Sequence, residues 1–445
     1  MKELNVDFVI RYEHKVRELE SIMLIKMELE RRGYSVALTA NYDYFNDKRR
    51  INPHVVISPA LYNDNQFLVD FLRYGFKKKF ANLLWEQLMG IREEEDPNGE
   101  HNIYGIGQRI VAFCWGENTR NRLIKTGLNE RCAKVVGQIN TDYLRKPLSN
   151  MLYSKKELGV YFNLDANNRW NLFISSFAYC ELDDIQRESI KSVYGEKYLN
   201  EFTELSNLSR TQILTWIEEA CIQYPNDIFI YRPHPDEARK SLLLKDLENK
   251  YSNFKVIADY SIKHWINASD KVYNWYSTGI VDAYFLEKPI RLLRPCLISE
   301  QYDYRIFLNH AKITNREEFL NDYYSLQKES NVDKHLIKEY FYNSDRLVYL
   351  AICDILEEIY NSNKYDINYS IIEYIKFGVL YFKRKVIDSL YYFEPVMRKL
   401  NIFKSVLMRR DRLKKDLMAS YNKNVASVDE ILELENKISS YINVS

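Results

Sequence analysis

The stretch Asp227-Ile228-Phe229-Ile230-Tyr231-Arg232-Pro233-His234-Pro235-Asp236-Glu237 and, some forty residues on, Lys271-Val272-Tyr273-Asn274-Trp275-Tyr276-Ser277-Thr278-Gly279 repeat one pattern: a short apolar run, a polar loop and the start of a helix. Apolar runs of that length, bounded by turn chemistry, read as buried parallel strands. In an open parallel sheet the carboxyl ends of the strands share one edge, and ligands bind there. Both loops are therefore expected to meet one ligand. Pro235 suits the first position of a helix, where its missing N–H costs nothing, and Asp236 and Glu237 suit the positive first turn. Ser277 or Thr278 can cap the next helix, over about 280–286, or leave its first N–H groups to an anion, with Gly279 allowing close backbone approach. Arginine, histidine and a helix amino terminus together have the chemistry of a phosphate cradle, which makes Arg232, His234, Ser277, Thr278 and Gly279 the candidate phosphate-binding residues. The plainer alternative is a surface ion pair for Arg232, a loop histidine satisfied by its neighbours, and a serine that only caps.

Working outward, 445 residues exceed a single core, and composition divides the chain at 1–150, 165–325 and 326–445, two domains with an extension. No run approaches the ~20 apolar residues of a membrane span. Residues 1–4 lead straight into strand-like Val6-Asp7-Phe8-Val9-Ile10 without signal-peptide architecture, so a cytoplasmic protein is expected. The six cysteines are scattered, with no C-x-x-C pair and no Cys/His cluster, so neither zinc nor a disulfide framework is expected. A formal charge of +1 gives no pull toward nucleic acid.

In the amino-terminal half, apolar runs at 5–10, 34–38, 54–57, 80–84, 110–113 and 133–136 predict strands, and helical spacing over 16–32, about 65–75 and 118–126 separates several of them. Such alternation predicts a parallel α/β sheet, and hence two doubly wound Rossmann-type domains. Glu13, Lys15, Arg17 and Glu18 follow the first strand; Glu86 follows Leu83-Leu84-Trp85. A carboxylate at such an edge can take the proton of a reacting hydroxyl, with Glu13 the first candidate base and Glu86 the second. Lys15, Arg17 and Glu18 would support them. Equally, Arg17 and Glu18 are first-turn residues able to pair with one another, and Glu86 can be a solvated loop carboxylate.

Glu13-His14-Lys15-Val16-Arg17-Glu18-Leu19-Glu20-Ser21, Trp85-Glu86, Trp115-Gly116-Glu117, Arg232-Pro233-His234-Pro235, Asn274-x-x-Ser277-Thr278-Gly279 and Lys288-Pro289-Ile290 keep an order that resembles GT-B glycosyltransferases of bacterial surface-carbohydrate biosynthesis. That group is similar to the CDP-glycerol glycerophosphotransferases and to the Kdo transferases of capsule assembly. The likeness runs from about Asn5 to Pro295. It departs in two places: the family's acidic pair after the strand is one carboxylate here, and in Gly137-Gln138-Ile139-Asn140-Thr141-Asp142 the family's Pro and Arg are Ile and Asn. The resemblance implies a GT-B fold, two domains facing a cleft. It implies a CMP- or CDP-linked donor with its phosphates on the His-Pro loop and the Ser/Thr turn. Asp282 would meet a donor sugar or ribose hydroxyl, or else complement the helix dipole. The acceptor would be a glycan or a lipid-linked glycan, and neither metal nor other cofactor is called for.

Residues 146–169 read as an interdomain linker. Trp170 to Ser176 reads as a strand ending in two hydroxyls that either meet a ligand or make a turn. Residues 182–208 read as a polar helical insertion, followed by a helix over 211–224. From about 329 the chain turns helical, and 333–360 match the closing helices that in GT-B folds cross back to the first domain. Residues 376–415 hold twelve Lys/Arg against three Asp/Glu, interleaved with Phe377, Leu380, Tyr381 and Phe382. That pattern suits an anionic membrane surface, a solvated helical hairpin or a contact between copies of the chain. Two rival functions keep the same architecture: a nucleotide-sugar epimerase, and a non-catalytic scaffold of a carbohydrate-assembly complex.

Overall fold

The computed structural model describes residues 3–41, 50–77, 79–234, 237, 242–324, 333–342, 344–392 and 424–442. The described strands form two six-stranded sheets, every pairing parallel. The first sheet holds β1 (Glu3–Tyr12), β2 (Val36–Ala40), β3 (Arg50–Ser58), β4 (Lys79–Asn82), β5 (Val111–Cys114) and β6 (Ala133–Val135), in the order β2-β1-β3-β4-β5-β6. The second holds β7 (Trp170–Ile174), β8 (Ile228–Arg232), β9 (Phe254–Val256), β10 (Lys271–Asn274), β11 (Ile290–Leu293) and β12 (Lys312–Ile313), in the order β12-β11-β10-β7-β8-β9. The first order is flavodoxin-like and the second Rossmann-like, so each sheet reverses direction once: between β1 and β3, and between β7 and β10. Phe8, Val9, Ile10, Val55, Val56 and Ile57 are wholly buried, as strands covered on both faces must be.

The chain divides into two compact units, one of Met1–Gln87, Asp96–Asp142 and Lys338–Ser445, the other of Leu88–Glu95 and Tyr143–Ile337. In the first, the helix Lys15–Arg31 buries Leu19, Ile22, Met23 and Leu24. The helix Val348–Asn361 is received by the loop after β6. Buried Asp142 accepts the N–H groups of Val348 and Tyr349, each at 2.8 Å, and caps that helix. Gly137, with φ +100°, leaves room for it: a Cβ there would stand 2.9 Å from Val348 Cγ2 and 3.0 Å from the Tyr342 carbonyl. Arg32 pairs with Asp354 and Glu357 at 2.9 and 3.0 Å. Residues 338–342 and 344–361 thus belong to the hydrophobic body of the first unit.

Further along, the helix Ile371–Tyr392 divides its apolar residues between core and surface. Phe377 is buried among Phe67 and Phe71, and Tyr381 packs on Phe71, while Ile371, Ile372, Ile375 and Phe382 are exposed. Residues 393–415 of the basic stretch lie outside the described residues. No described helix is long and apolar enough to cross a membrane.

The stretch read as a linker contains a built element, and the one read as a polar helical insertion is helical as expected. The linker contains the helix Lys155–Phe162, started by a capping box of Ser154 and Glu157. The polar insertion is the capped helix Asp184–Tyr194 and the first half of the helix Glu196–Gln223, which runs unbroken for 28 residues. Phe202, Ile213, Leu214, Trp216 and Ile217 of that helix bury against Phe173, Phe229 and Trp275.

Candidate functional site

In the second unit β7 lies between β8 and β10, so the two polar loops flank the loop after β7 and are not adjacent. Strands two places apart stand ~10 Å from one another. Ser175 and Ser176 join the three loops. Ser176 Oγ accepts the Tyr276 N–H at 3.1 Å, and Ser175 Oγ donates to Glu237 Oε2 at 2.5 Å. Glu237 is not a surface carboxylate of a first helical turn but a buried hub. It also accepts the Tyr231 hydroxyl at 2.6 Å and the His234 N–H at 3.1 Å, with Arg210 Nε 3.7 Å away. The His234 loop is thereby fixed from beneath. Pro235 and Asp236, read as the start of a helix, lie outside the described residues, and the next described helix is Leu242–Lys250.

Arg232 ends β8 and turns toward the loop after β9. Its guanidinium donates to the carbonyls of Ile257 at 3.3 Å, Asp259 at 2.5 Å and Tyr260. At the other loop, Asn274 clamps the turn by accepting the Ser277 N–H at 2.7 Å and donating to the Ser277 carbonyl at 2.8 Å. Ser277 Oγ accepts the Gly279 N–H at 3.2 Å, and Thr278 is exposed. Gly279 has φ −57°, so its value is space: a Cβ would stand 3.1 Å from Ile174 Cδ1 at the end of β7. One turn on, in the helix Ile280–Phe285, burial pushes the Asp282 carboxyl up to about 6 against the pull of Lys263.

The first unit carries a cavity of about 410 Å3 at its own reversal point, lined by residues after β1, β3 and β4. Glu13, Arg17 and Glu86 line it together. Arg17 reaches Glu86 Oε1 at 2.7 Å and Glu18 Oε1 at 2.9 Å, and His101 Nε2 stands 3.2 Å from Glu86 Oε2. The hydrogen bond with His101, with Arg17 beside it, holds the Glu86 carboxyl down at about 2. Glu18 sits behind the cavity wall, wholly buried, with Oε2 accepting the Glu13 N–H at 2.8 Å; desolvation raises its carboxyl despite Arg17. Lys15 is not in the cavity lining and pairs with Glu430 of the helix Val428–Ile442 at 2.7 Å.

Sequence reasoning missed His101, Tyr62 and Glu100, which also line the cavity. Tyr62 donates to the Glu86 carbonyl at 3.2 Å and meets the His101 ring edge-on at 5.2 Å. Their loops have no periodicity; the nearest signal was the Trp85-Glu86 pair. Among the described residues, no group of three or more His, Cys, Asp or Glu could hold a metal ion.

Two doubly wound α/β units in one chain define a GT-B fold. In particular, the UDP-GlcNAc 2-epimerase of Methanocaldococcus jannaschii is similar at a TM-score of 0.50 and 16% identity, over 80% of this chain and 99% of that one. The Neisseria meningitidis UDP-GlcNAc 2-epimerase bound to UDP-GlcNAc gives 0.49 and 16%, over 80% and 100%. A glycosyltransferase of Rickettsia africae gives 0.41 and 10%, over 81% and 99%. At such identities the likeness is one of fold. No family model matches the sequence, and no curated protein matches it.

Proposed function

We propose that the chain is a GT-B-type transferase of surface-carbohydrate assembly, moving a sugar or polyol phosphate from a nucleotide-activated donor, CMP- or CDP-linked by family likeness, to a glycan or lipid-linked acceptor. The second unit takes the donor and the first the acceptor. One observation carries the choice: the first unit has its own polar cavity, with the Glu13 carboxylate in the lining. An epimerase acts on one substrate and needs no acceptor site. In this reading Glu13 removes the acceptor hydroxyl's proton as the new bond to that oxygen forms. The bond to the nucleotide's phosphate oxygen breaks, and the departing nucleotide takes the bonding pair. Glu86, held at about 2, is too weak a base and instead fixes Arg17 and His101.

On the donor side His234, Ser277 and Thr278 meet the phosphates, with Arg232 acting through the 257–260 turn that it holds. Asp282 meets a sugar or ribose hydroxyl. Charge on the departing nucleotide is met by fixed donors, with no metal required by this scheme. The epimerase reading stays second because the fold of the M. jannaschii enzyme is shared. Incubation with CDP-, CMP- and UDP-linked donors plus a glycan acceptor separates the two. Transfer releases free nucleotide only when acceptor is present; epimerisation gives an isomeric donor without it. An isomerised donor, or no change in any donor, defeats the transferase proposal.

A further inference from the structure

We infer that the first-unit cavity accepts a neutral, polyhydroxylated sugar end and discriminates against one bearing phosphate or carboxylate; this rests on the cavity's being the acceptor's place. The hydrogen bonds that build its wall decide what remains for a guest. Asn63 uses its amide oxygen on the N–H groups of Asn65 and Gln66, at 3.0 and 3.2 Å, and Gln66 uses its own on the Tyr62 N–H at 2.6 Å. Each therefore has its NH2 half to offer. Trp85, another lining residue, is 6% exposed, and its indole N–H has no acceptor among the described residues. A buried donor left so is a standing cost of the wall itself.

The same lining holds the carboxylates of Glu13, Glu86 and Glu100. The cations of the lining are Arg17, whose guanidinium is shared by Glu18 and Glu86, and His101 when protonated. Glu86 stays ionised across the physiological range. A hydroxyl donates to such carboxylates and accepts from the amide N–H groups of Asn63 and Gln66, while C–H faces of a pyranose lie on Tyr62 and Tyr104. A phosphate or uronate meets a lining with three carboxylates whose one fixed cation, Arg17, is already engaged. The volume of about 410 Å3 is that of a small-molecule site.

Binding to the full chain, without donor, tests this by saturation-transfer NMR and calorimetry. The probes are methyl glycosides of glucose, galactose and N-acetylglucosamine, set against glucose 6-phosphate and glucuronate. At least one neutral glycoside is expected to bind saturably, with the charged sugars at least tenfold weaker. That gap should narrow in Glu100→Lys, at an exposed position, and at high salt. Equal or tighter binding of a charged sugar, or no binding by any neutral glycoside, overturns the inference. Neutral-sugar binding together with absent nucleotide release would defeat the transferase proposal and uphold this one.

Discussion

Glu86 and Asp282 are carboxylates moved in opposite directions by their surroundings, one to about 2 and the other to about 6. For Glu86 the consequence is catalytic. A base so acidic accepts a proton poorly, so Glu13→Gln should lower kcat/KM for transfer by about 10²–10⁴-fold while Glu86→Gln costs about tenfold, read from initial rates over a pH series. Equal losses would assign the base wrongly. For Asp282 the consequence is thermodynamic. Its folded value lies above the ordinary 3.8, so its contribution is intact below that and is lost as pH rises to about 6. Asp282→Asn should therefore stabilise the fold by about 1–2 kcal/mol at pH 8 and by nothing at pH 4, a difference that urea midpoints at the two pH values would show. Glu13, Arg17 and Glu86 were legible because each follows an apolar run at a strand end. His101 was not, since only the folded loop brings it to Glu86. The same limit hid the engagement of Arg232, whose partners are backbone carbonyls of a turn that side-chain chemistry does not announce.

Among the elements, strand existence was written in the apolar runs, and β1, β3, β5, β8 and β10 fall within a few residues of where those runs place them. Strand order was not, because a parallel sheet is ordered by its crossovers, and β7 comes between the two loops that were expected to meet one ligand. β12, two residues long, gives no periodicity at all. The interposed strand carries the pair of hydroxyls that bind the edge together, and Glu237 fastens one of them to the His234 loop. Glu237→Ala removes a buried carboxylate from Tyr231, Ser175 and Arg210 at once. It should cost about 3 kcal/mol in urea unfolding and loosen the loop. If His234 meets phosphate, the same variant weakens nucleotide binding beyond what the global loss explains, measured by calorimetry well below the melting temperature.

At the scale of the molecule, the carboxyl-terminal third is where composition and contacts part. Its composition gives only a helical run, of which 333–360 were expected to return to the first domain, and there Asp142, Gly137 and Gly116 in the loops after β5 and β6 are shaped around it. Gly116 is the most severe case. A Cβ there would lie 2.0 Å from the Glu339 carbonyl oxygen and 2.6 Å from Tyr340 C, both backbone atoms that cannot swing aside as a side-chain end would. Gly116→Ala should therefore push residues 338–341, the end of a helix, off their seat and destabilise the first unit by about 3 kcal/mol. A chain ending at Ile337 should fail to fold that unit, since it loses Val348, Ile352, Leu356 and Ile359 as cover, all buried. Both changes fall within the first unit, and the network around Glu237 lies wholly in the second. Calorimetric melting of Gly116→Ala should thus show one transition displaced downward and one retained, with nucleotide binding kept. A single transition moving as a whole would mean that the tail stabilises both units together.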